Sequence, residues 1–305
     1  MTASPFALVI VNYGSHQLIA DNVAGPVAEE GARVYVVDNP SSVAECQAVR
    51  QLCAERGWTL VASAANVGFG AGVNQGVRAA ISDGLDVFVL LNPDAAADGP
   101  VLAGLARAVR EDPGGVISPR VVGSDGHTDF DGAMVSLRTG RTRMRWIDSD
   151  GDGEWVNWLT GACMAFDRST FEETGGFGEE YFLYWEDVDF SRRAVACGRH
   201  LAVRHDLLVV HDEGGTQGSQ GRRAKSHSYY YWNCRNRVVF GRRFARVAWR
   251  DWLAATPSQS WQILLRGGRR QLLEDPGTFV AAVRGTLAGI LVTARPHPHT
   301  REGRR

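Results

Sequence analysis

The sequence predicts an α/β fold on a mainly parallel sheet, and three features point to it. Short runs rich in Val, Ile and Leu recur through the first third of the chain, segments of helical length lie between them, and polar residues gather where each apolar run stops. Runs that are apolar throughout, rather than alternating, suit strands buried on both faces. Strands that alternate with helices imply βαβ units with right-handed crossovers.

The predicted strands cover residues 7–11, 34–37, 60–62 and 87–91, and the predicted helices 16–30, 43–56, 70–82 and 100–110. In such sheets the ligand sits beyond the carboxyl ends of the strands. Here those ends carry Asn12-Tyr13, Asp38-Asn39, Asn66 and Asn92-Pro93-Asp94, so side chains far apart in sequence converge on one edge. Between 116 and 154 the pattern loosens into short strands and Gly/Asp turns. A capped helix follows at 167–174, then an aromatic–acidic segment at 181–193, a Gly/Gln/Ser-rich loop at 214–221, and helices after Ser226. The expected organisation is a main domain over 1–225, with halves of about 1–115 and 116–225, and a helical, Arg- and aromatic-rich extension over 226–305.

Hydrophobic residues make up 44% of the chain and charged residues 22%, the balance of a folded globular protein. The formal net charge of −1 gives no reason to expect a nucleic-acid partner. Cys46, Cys53, Cys163, Cys197 and Cys234 are odd in number and form no C-x-x-C pair, so reduced, mostly buried thiols are expected. The start of the chain has no basic n-region, and the longest apolar stretch, 279–292, is interrupted by Arg284 and short for a membrane span. A cytoplasmic protein is expected.

Several motifs could carry chemistry. Asp94, just past an apolar strand, could hold a hard divalent ion that neutralises a diphosphate, although Asn-Pro-Asp is also good turn chemistry. The glycines at 68, 70, 72 and 76 do not fit the G-x-G-x-x-G frame and follow the third strand, so they read as close packing of a helix start rather than a dinucleotide site. Asp148, Asp150 and Asp152 resemble the start of a calcium loop, but Leu159 stands where a bidentate Glu is required. Tyr184-Trp-Glu186-Asp187-Val-Asp189 sets three carboxylates among aromatics. On a helix Glu186 and Asp189 share a face and Asp187 points elsewhere, and partial desolvation suits a carboxylate to act as a base. His211 closes an apolar run and is placed to complete a metal or phosphate site, or to serve a structural role.

Taken in order, Val9-Ile-Val-Asn-Tyr13, Val37-Asp-Asn39, Asn66-Val-Gly-Phe-Gly-Ala-Gly72, Leu91-Asn-Pro-Asp94, Gly161-Ala-Cys-Met, the run from Gly176 to Asp189, and Val210-His211 resemble the family 2 glycosyltransferases of the inverting GT-A fold. Within that family the likeness is greatest to the rhamnosyltransferase-like branch, and it extends over about residues 6–240. The resemblance implies a nucleotide-sugar site of Asn12, Tyr13, Asp38, Asn66, Gly68, Asn92 and Asp94, with Asp38 binding a pyrimidine base. It implies Mg²⁺ or Mn²⁺ at Asp94 and His211, with Asn92 replacing the first acid of the family's D-x-D motif. Asp187 is implied as the catalytic base with Glu186 in reserve, and Tyr184 and Trp185 fall on the acceptor side. The implied donor is a dTDP- or UDP-sugar, dTDP-L-rhamnose first, and the implied acceptor a glycan or lipid-linked sugar.

A nucleotidyltransferase or NAD enzyme is disfavoured by the absent G-x-G-x-x-G and the late acidic segment, and a sugar-nucleotide binder without turnover by the presence of Asp94, Asp187 and His211. The arginines and aromatics of 229–292 suit either a peripheral membrane contact at the inner face or a helical cap with solvated arginines.

Overall fold

The computed structural model describes residues 4–23, 27, 30–147, 153–211, 224–245 and 247–294. The chain divides into two compact units: residues 1–135, 142–151 and 155–222, and residues 136–141, 152–154 and 223–305. The sequence grouping had left 136–141 and 152–154 with the main domain.

In the first unit the four predicted strands form as β1 (Phe6–Asn12), β2 (Ala32–Asp38), β3 (Thr59–Ala62) and β4 (Val87–Leu91). They alternate with α1 (His16–Asn22), α2 (Val43–Arg56) and α3 (Phe69–Ser82), and α4 (Gly99–Glu111) follows a two-residue strand, β5 (Ala95–Ala96). Helix α1 is shorter than predicted. It ends at Asn22, ahead of Gly25-Pro26, a pair that punctuates helices. Side-chain caps fix other helix starts: Ser42 accepts from the Glu45 N–H, and Asp98 from the Val101 N–H.

Next in the chain come β6 (Gly115–Val122), β7 (Thr128–Phe130), β8 (Ala133–Ser136), β9 (Thr142–Arg143), β10 (Trp155–Trp158) and β11 (Cys163–Asp167). They are followed by α5 (Arg168–Thr174), α6 (Glu186–Ala196) and β12 (His200–His211). The large sheet has the order β3-β2-β1-β4-β11-β6-β12-β5, with β7 beside β6, and β10-β8-β9 form a small second sheet. Strands β3, β2, β1 and β4 run parallel, whereas β11 lies antiparallel between β4 and β6.

Both faces of β1 are covered, as its unbroken apolar run requires. Phe6, Leu8 and Ile10 join a core with Leu102, Leu105 and Val109 of α4. On the other face Val9 and Val11 meet α3 so closely that a Cβ at Gly76 or Gly72 would lie 2.5 or 2.9 Å from a valine methyl. These glycines set the helix–sheet spacing, as their sequence pattern suggested. Full burial of each valine contributes about 1.5–3 kcal/mol.

The second unit holds α7 (His227–Phe244), α8 (Trp249–Leu265), α9 (Arg269–Glu274) and α10 (Pro276–Ala294). Tyr230, Phe240 and Trp252 are buried, so these aromatics act as a helical core rather than an exposed stripe. Arg237 is buried with them, its guanidinium 4.9 Å from the Trp252 ring centroid and donating to Thr256 Oγ1 and the Thr139 carbonyl. Burial pulls its pKa down to about 9.

One expectation fails here. The apolar stretch judged too short is part of α10, whose window Pro276–Thr293 is long and apolar enough, by length and composition, to cross a membrane. Pro276 starts the helix instead of interrupting it, and a single Arg284 leaves the mean hydropathy at 1.3. The five cysteines are free, with Cys53, Cys163 and Cys234 buried. The acidic turn at 148–152 and the loop at 214–221 lie outside the described residues.

Candidate active site

The parallel register aligns Asn12 with Asp38 at the carboxyl edge of β1 and β2. Asn12 Nδ2 donates to Asp38 Oδ1 at 3.0 Å and to Glu45 Oε1 at 3.2 Å, and both Asn12 and Asp38 are buried. Glu45 also accepts from the His16 backbone N–H at 2.8 Å and contacts the His16 ring at 2.7 Å. Burial opposes the charge of Glu45, but the bonds from His16 and Asn12 outweigh it and hold its carboxyl below the usual range. Glu45 and His16 thus fix the amide that orients Asp38, and no local pattern singles them out. Tyr13 is exposed beside this cluster in the chain. After Asp38 the chain borders a cavity of about 420 Å³ lined by residues 40–43, Cys46, Gln47 and Arg50.

Asn39 is buried and spans the gap to the loop after β3, donating to the Gly68 carbonyl at 3.0 Å and accepting from the Val67 N–H at 3.2 Å. Asn66 Oδ1 accepts from the Gly68 N–H. Gly68 has φ +87°, and a Cβ there would lie 2.2 Å from the Phe182 carbonyl oxygen. The Phe69 N–H donates to that same oxygen at 2.7 Å. Gly68 is thus held on both sides by asparagine side chains, and the Phe69 N–H ties the loop after β3 to the acidic segment.

Asp94 and His211 meet because β5 pairs antiparallel with the end of β12, setting His211 opposite Ala95. His211 Nε2 lies 3.0 Å from Asp94 Oδ1, and both side chains are largely buried. Nearby in sequence, Asn92 Oδ1 is buried without a hydrogen-bond partner. One carboxylate and one imidazole fit a hard divalent cation that draws its remaining ligands from a diphosphate and water. Among the described residues no cluster of three or more His, Cys, Asp or Glu forms a closed metal cage.

The acidic segment divides its three carboxylates by burial. Asp189 is fully buried and engaged, accepting from the Tyr181 hydroxyl at 3.1 Å and from Arg193 Nε at 2.6 Å. Glu186 packs its stem near Gly70 and is buried, with Oε2 unpartnered. Burial first, then the neighbouring Asp187 charge, pushes its carboxyl well above the usual range. Asp187 is half-buried, accepting from the Gly161 N–H at 3.1 Å and the Val188 N–H at 2.8 Å. Burial raises its pKa to about 6, those amides opposing the rise. Burial thus weighs on both carboxyls, and Asp187 is the one whose charged form is supported by two backbone N–H groups. The face-sharing of Glu186 and Asp189 expected of a helix is what α6 provides.

Just before α6, Phe182, Tyr184 and Trp185 all have positive φ, the non-glycine residues with that geometry among those described. Such backbone costs about 1–3 kcal/mol per residue and persists where surrounding structure enforces it. Tyr184 remains partly exposed, but Trp185 is 7% exposed and forms a wall of the segment rather than an open platform for an acceptor. Gly161, quoted in the sequence only as part of a motif, lies against Asp187 because β11 pairs with β4 and brings the 159–162 turn beside Asn92. A Cβ on it would lie 3.5 Å from Asp187 Cβ and 3.2 Å from the Phe69 ring.

Comparison with known proteins identifies the family and the fold. The family model described as "Glycosyltransferase like family 2" matches residues 3–228. The low-salt glycan biosynthesis hexosyltransferase Agl10 of Haloferax volcanii is 25% identical over 301 residues, covering 93% of this chain and 90% of its own. The N-acetylglucosaminyl-diphospho-decaprenol L-rhamnosyltransferase of Mycobacterium tuberculosis is 39% identical over 72 residues, which is 24% of this chain and 22% of that one. Among solved structures, the mannosyltransferase PcManGT of Pyrobaculum calidifontis, in complex with GDP-Man and Mn²⁺, has a TM-score of 0.53 at 19% identity, over 96% of this chain and 78% of that one. The fold likeness to such enzymes extends the predicted α/β and GT-A assignment to the whole architecture, C-terminal helices included.

Proposed function

The chain is a member of glycosyltransferase family 2, and from that premise we propose that it moves L-rhamnose from dTDP-L-rhamnose to an acceptor hydroxyl with inversion. The observation that carries the reaction class to named residues is the half-buried Asp187, held by two backbone N–H groups and kept partly basic by burial. As the acceptor oxygen attacks the anomeric carbon, Asp187 takes its proton. The bond from that carbon to the diphosphate breaks on the opposite face, and the nucleoside diphosphate leaves with the electron pair. One base and one displacement give inversion without a covalent enzyme intermediate.

On the donor side, the Asn12–Asp38 pair and the adjoining cavity suit a pyrimidine nucleoside, with Asp38 accepting from the base. Asp94 and His211 would hold Mg²⁺ or Mn²⁺, which supplies charge neutralisation at the diphosphate. Tyr184, partly exposed beside the base, is the better placed of the two aromatics to meet an acceptor.

Rhamnose is supported by local likeness to two rhamnosyltransferases, the mycobacterial enzyme and WbbL of Escherichia coli, the second 27% identical over 96 residues. The mycobacterial name also supports a lipid-linked sugar diphosphate as acceptor, in a protein that acts at the inner face of the cytoplasmic membrane. A donor panel read by nucleoside diphosphate release tests the assignment. Fastest release from dTDP-L-rhamnose is expected. Faster turnover of UDP-glucose or another UDP-sugar would remove the rhamnosyl assignment and keep the reaction class.

A further inference from the structure

Helix α10 is two-sided. One side carries Thr278, Ala282, Gly285 and Gly289, all buried, where a Cβ on either glycine would strike the α7 backbone, 2.1 Å from the Tyr231 carbonyl oxygen or 2.6 Å from that of Arg235. Small residues at that spacing let two helix backbones meet. The other side carries Phe279, Val280, Val283, Leu287, Ile290 and Leu291, each between 38% and 66% exposed. At 100° per residue these six fall within about one third of the helix circumference. An apolar stripe of this length on one helix marks a site where something apolar docks.

We infer that this stripe is a membrane-docking surface, lying flat in the interface of an anionic lipid bilayer. Three observations favour lipid. The stripe belongs to a window whose mean hydropathy of 1.3 and 18-residue length meet the standard of a membrane helix, with no acidic residue along it. Its opposite side is closed by α7, which carries Arg235, Asn236 and Arg237, so one face alone is left for lipid and the helix lies on the membrane rather than across it. Finally, charge is segregated. Residues 224–294 hold eleven Lys and Arg against three Asp and Glu in a chain of net charge −1. Arg284 lines up with Val280, Leu287 and Leu291 at helical spacing, where its stem can lie along acyl chains with the guanidinium among phosphates. Trp261, 47% exposed, sits one residue from Ser260, whose hydroxyl is 3.3 Å from that of Thr286 on α10. An indole at that level is an interfacial anchor.

This surface does not rest on the donor or acceptor assignment, and its test is read without activity. The full chain is sedimented with vesicles of phosphatidylcholine alone and of phosphatidylcholine with phosphatidylglycerol, at low and high salt. Expected is binding to the anionic vesicles, weakened by salt, and lowered about tenfold or more by Leu287→Glu with Leu291→Glu. Both side chains are exposed, so circular dichroism and nucleoside diphosphate release should match the unaltered chain. Absence of binding to anionic vesicles at low salt would overturn the inference. So would unchanged vesicle binding in the double variant, or a dimer in solution that the same substitutions dissociate while vesicles are ignored, since a second copy would then cover the stripe.

Discussion

Replacing Asp187 by Asn should make the protein inactive and, near neutral pH, more stable. The carboxyl moves from an ordinary 3.8 to about 6 in the folded chain. At about 1.4 kcal/mol per unit, that shift corresponds to roughly 3 kcal/mol. The sign follows from which state binds protons more tightly. Here the folded state does, so above pH 6 both states are ionised and the fold carries the whole penalty; below about 4 both are protonated and the penalty vanishes. Stability from this group therefore rises as pH falls from about 6 to 4. An uncharged amide of the same shape removes the penalty, so Asp187→Asn should gain up to about 3 kcal/mol at about pH 7.5 and little at pH 4. Losing the base should lower kcat by about 10²–10⁴ with donor binding kept. The measurements are urea unfolding at both pH values, titration of donor affinity, and single-turnover transfer. In the unaltered enzyme kcat/KM should fall as pH drops through about 6. Wild-type turnover in Asp187→Asn, with turnover lost in Glu186→Gln, would refute the assignment and give the proton to the neighbour. A variant less stable at neutral pH than at acid pH, relative to wild type, would refute the burial argument.

Two further outcomes are expected. Asp94→Ala and His211→Ala should each weaken donor binding in the presence of Mg²⁺ or Mn²⁺, and excess chelator should reduce the unaltered enzyme to the same level; full activity in EDTA would sink the metal assignment. Gly68→Ala adds a Cβ 2.2 Å from the Phe182 carbonyl oxygen at φ +87°, so about 3 kcal/mol or more should be lost in unfolding measurements; Gly57→Ala, at φ +67° with nothing within 4 Å, should lose only about 1 kcal/mol.

The legible parts of this protein were those written in local patterns. Strands β1 to β4 and the polar residues at their ends were readable because runs buried on both faces leave a continuous apolar signal. Asp187 was separable from Asp189 because helical spacing puts them on different faces. What was not legible depends on pairing. No sequence signal marks Ala95–Ala96 as a strand, yet its pairing with β12 brings His211 to Asp94 across 117 residues. The same holds for Gly161, whose N–H reaches Asp187 only because β11 inserts beside β4. Glu45 stands in the first turn of α2 with no motif around it, and its hold on Asn12 exists only in the folded sheet. Helix α10 was misjudged for another reason: a charge was counted as a break, although one long basic side chain can sit at the edge of an apolar face.

The glycines at 68, 70, 72 and 76, read in the sequence as close packing of a helix start, link the two halves of the site. Gly72 and Gly76 press α3 onto Val9, Val11 and Val37 of the sheet, and Gly68 and Gly70, at the very start of the helix, press it onto the Phe182 carbonyl and Glu186. One helix is thus held by close contact to the strands that bear Asn12 and Asp38 and to the segment that bears Asp187. The positive φ angles at Phe182, Tyr184 and Trp185 are then a consequence: the chain must turn sharply to offer the Phe182 oxygen to the Phe69 N–H and still start α6 at Glu186. Burial of Glu186 against that helix raises its carboxyl well above the usual range, whereas two backbone N–H groups oppose the rise at Asp187. The packing that joins the Asn12–Asp38 edge to the acidic segment therefore also sets apart the environments of Glu186 and Asp187, the carboxylate proposed as the base.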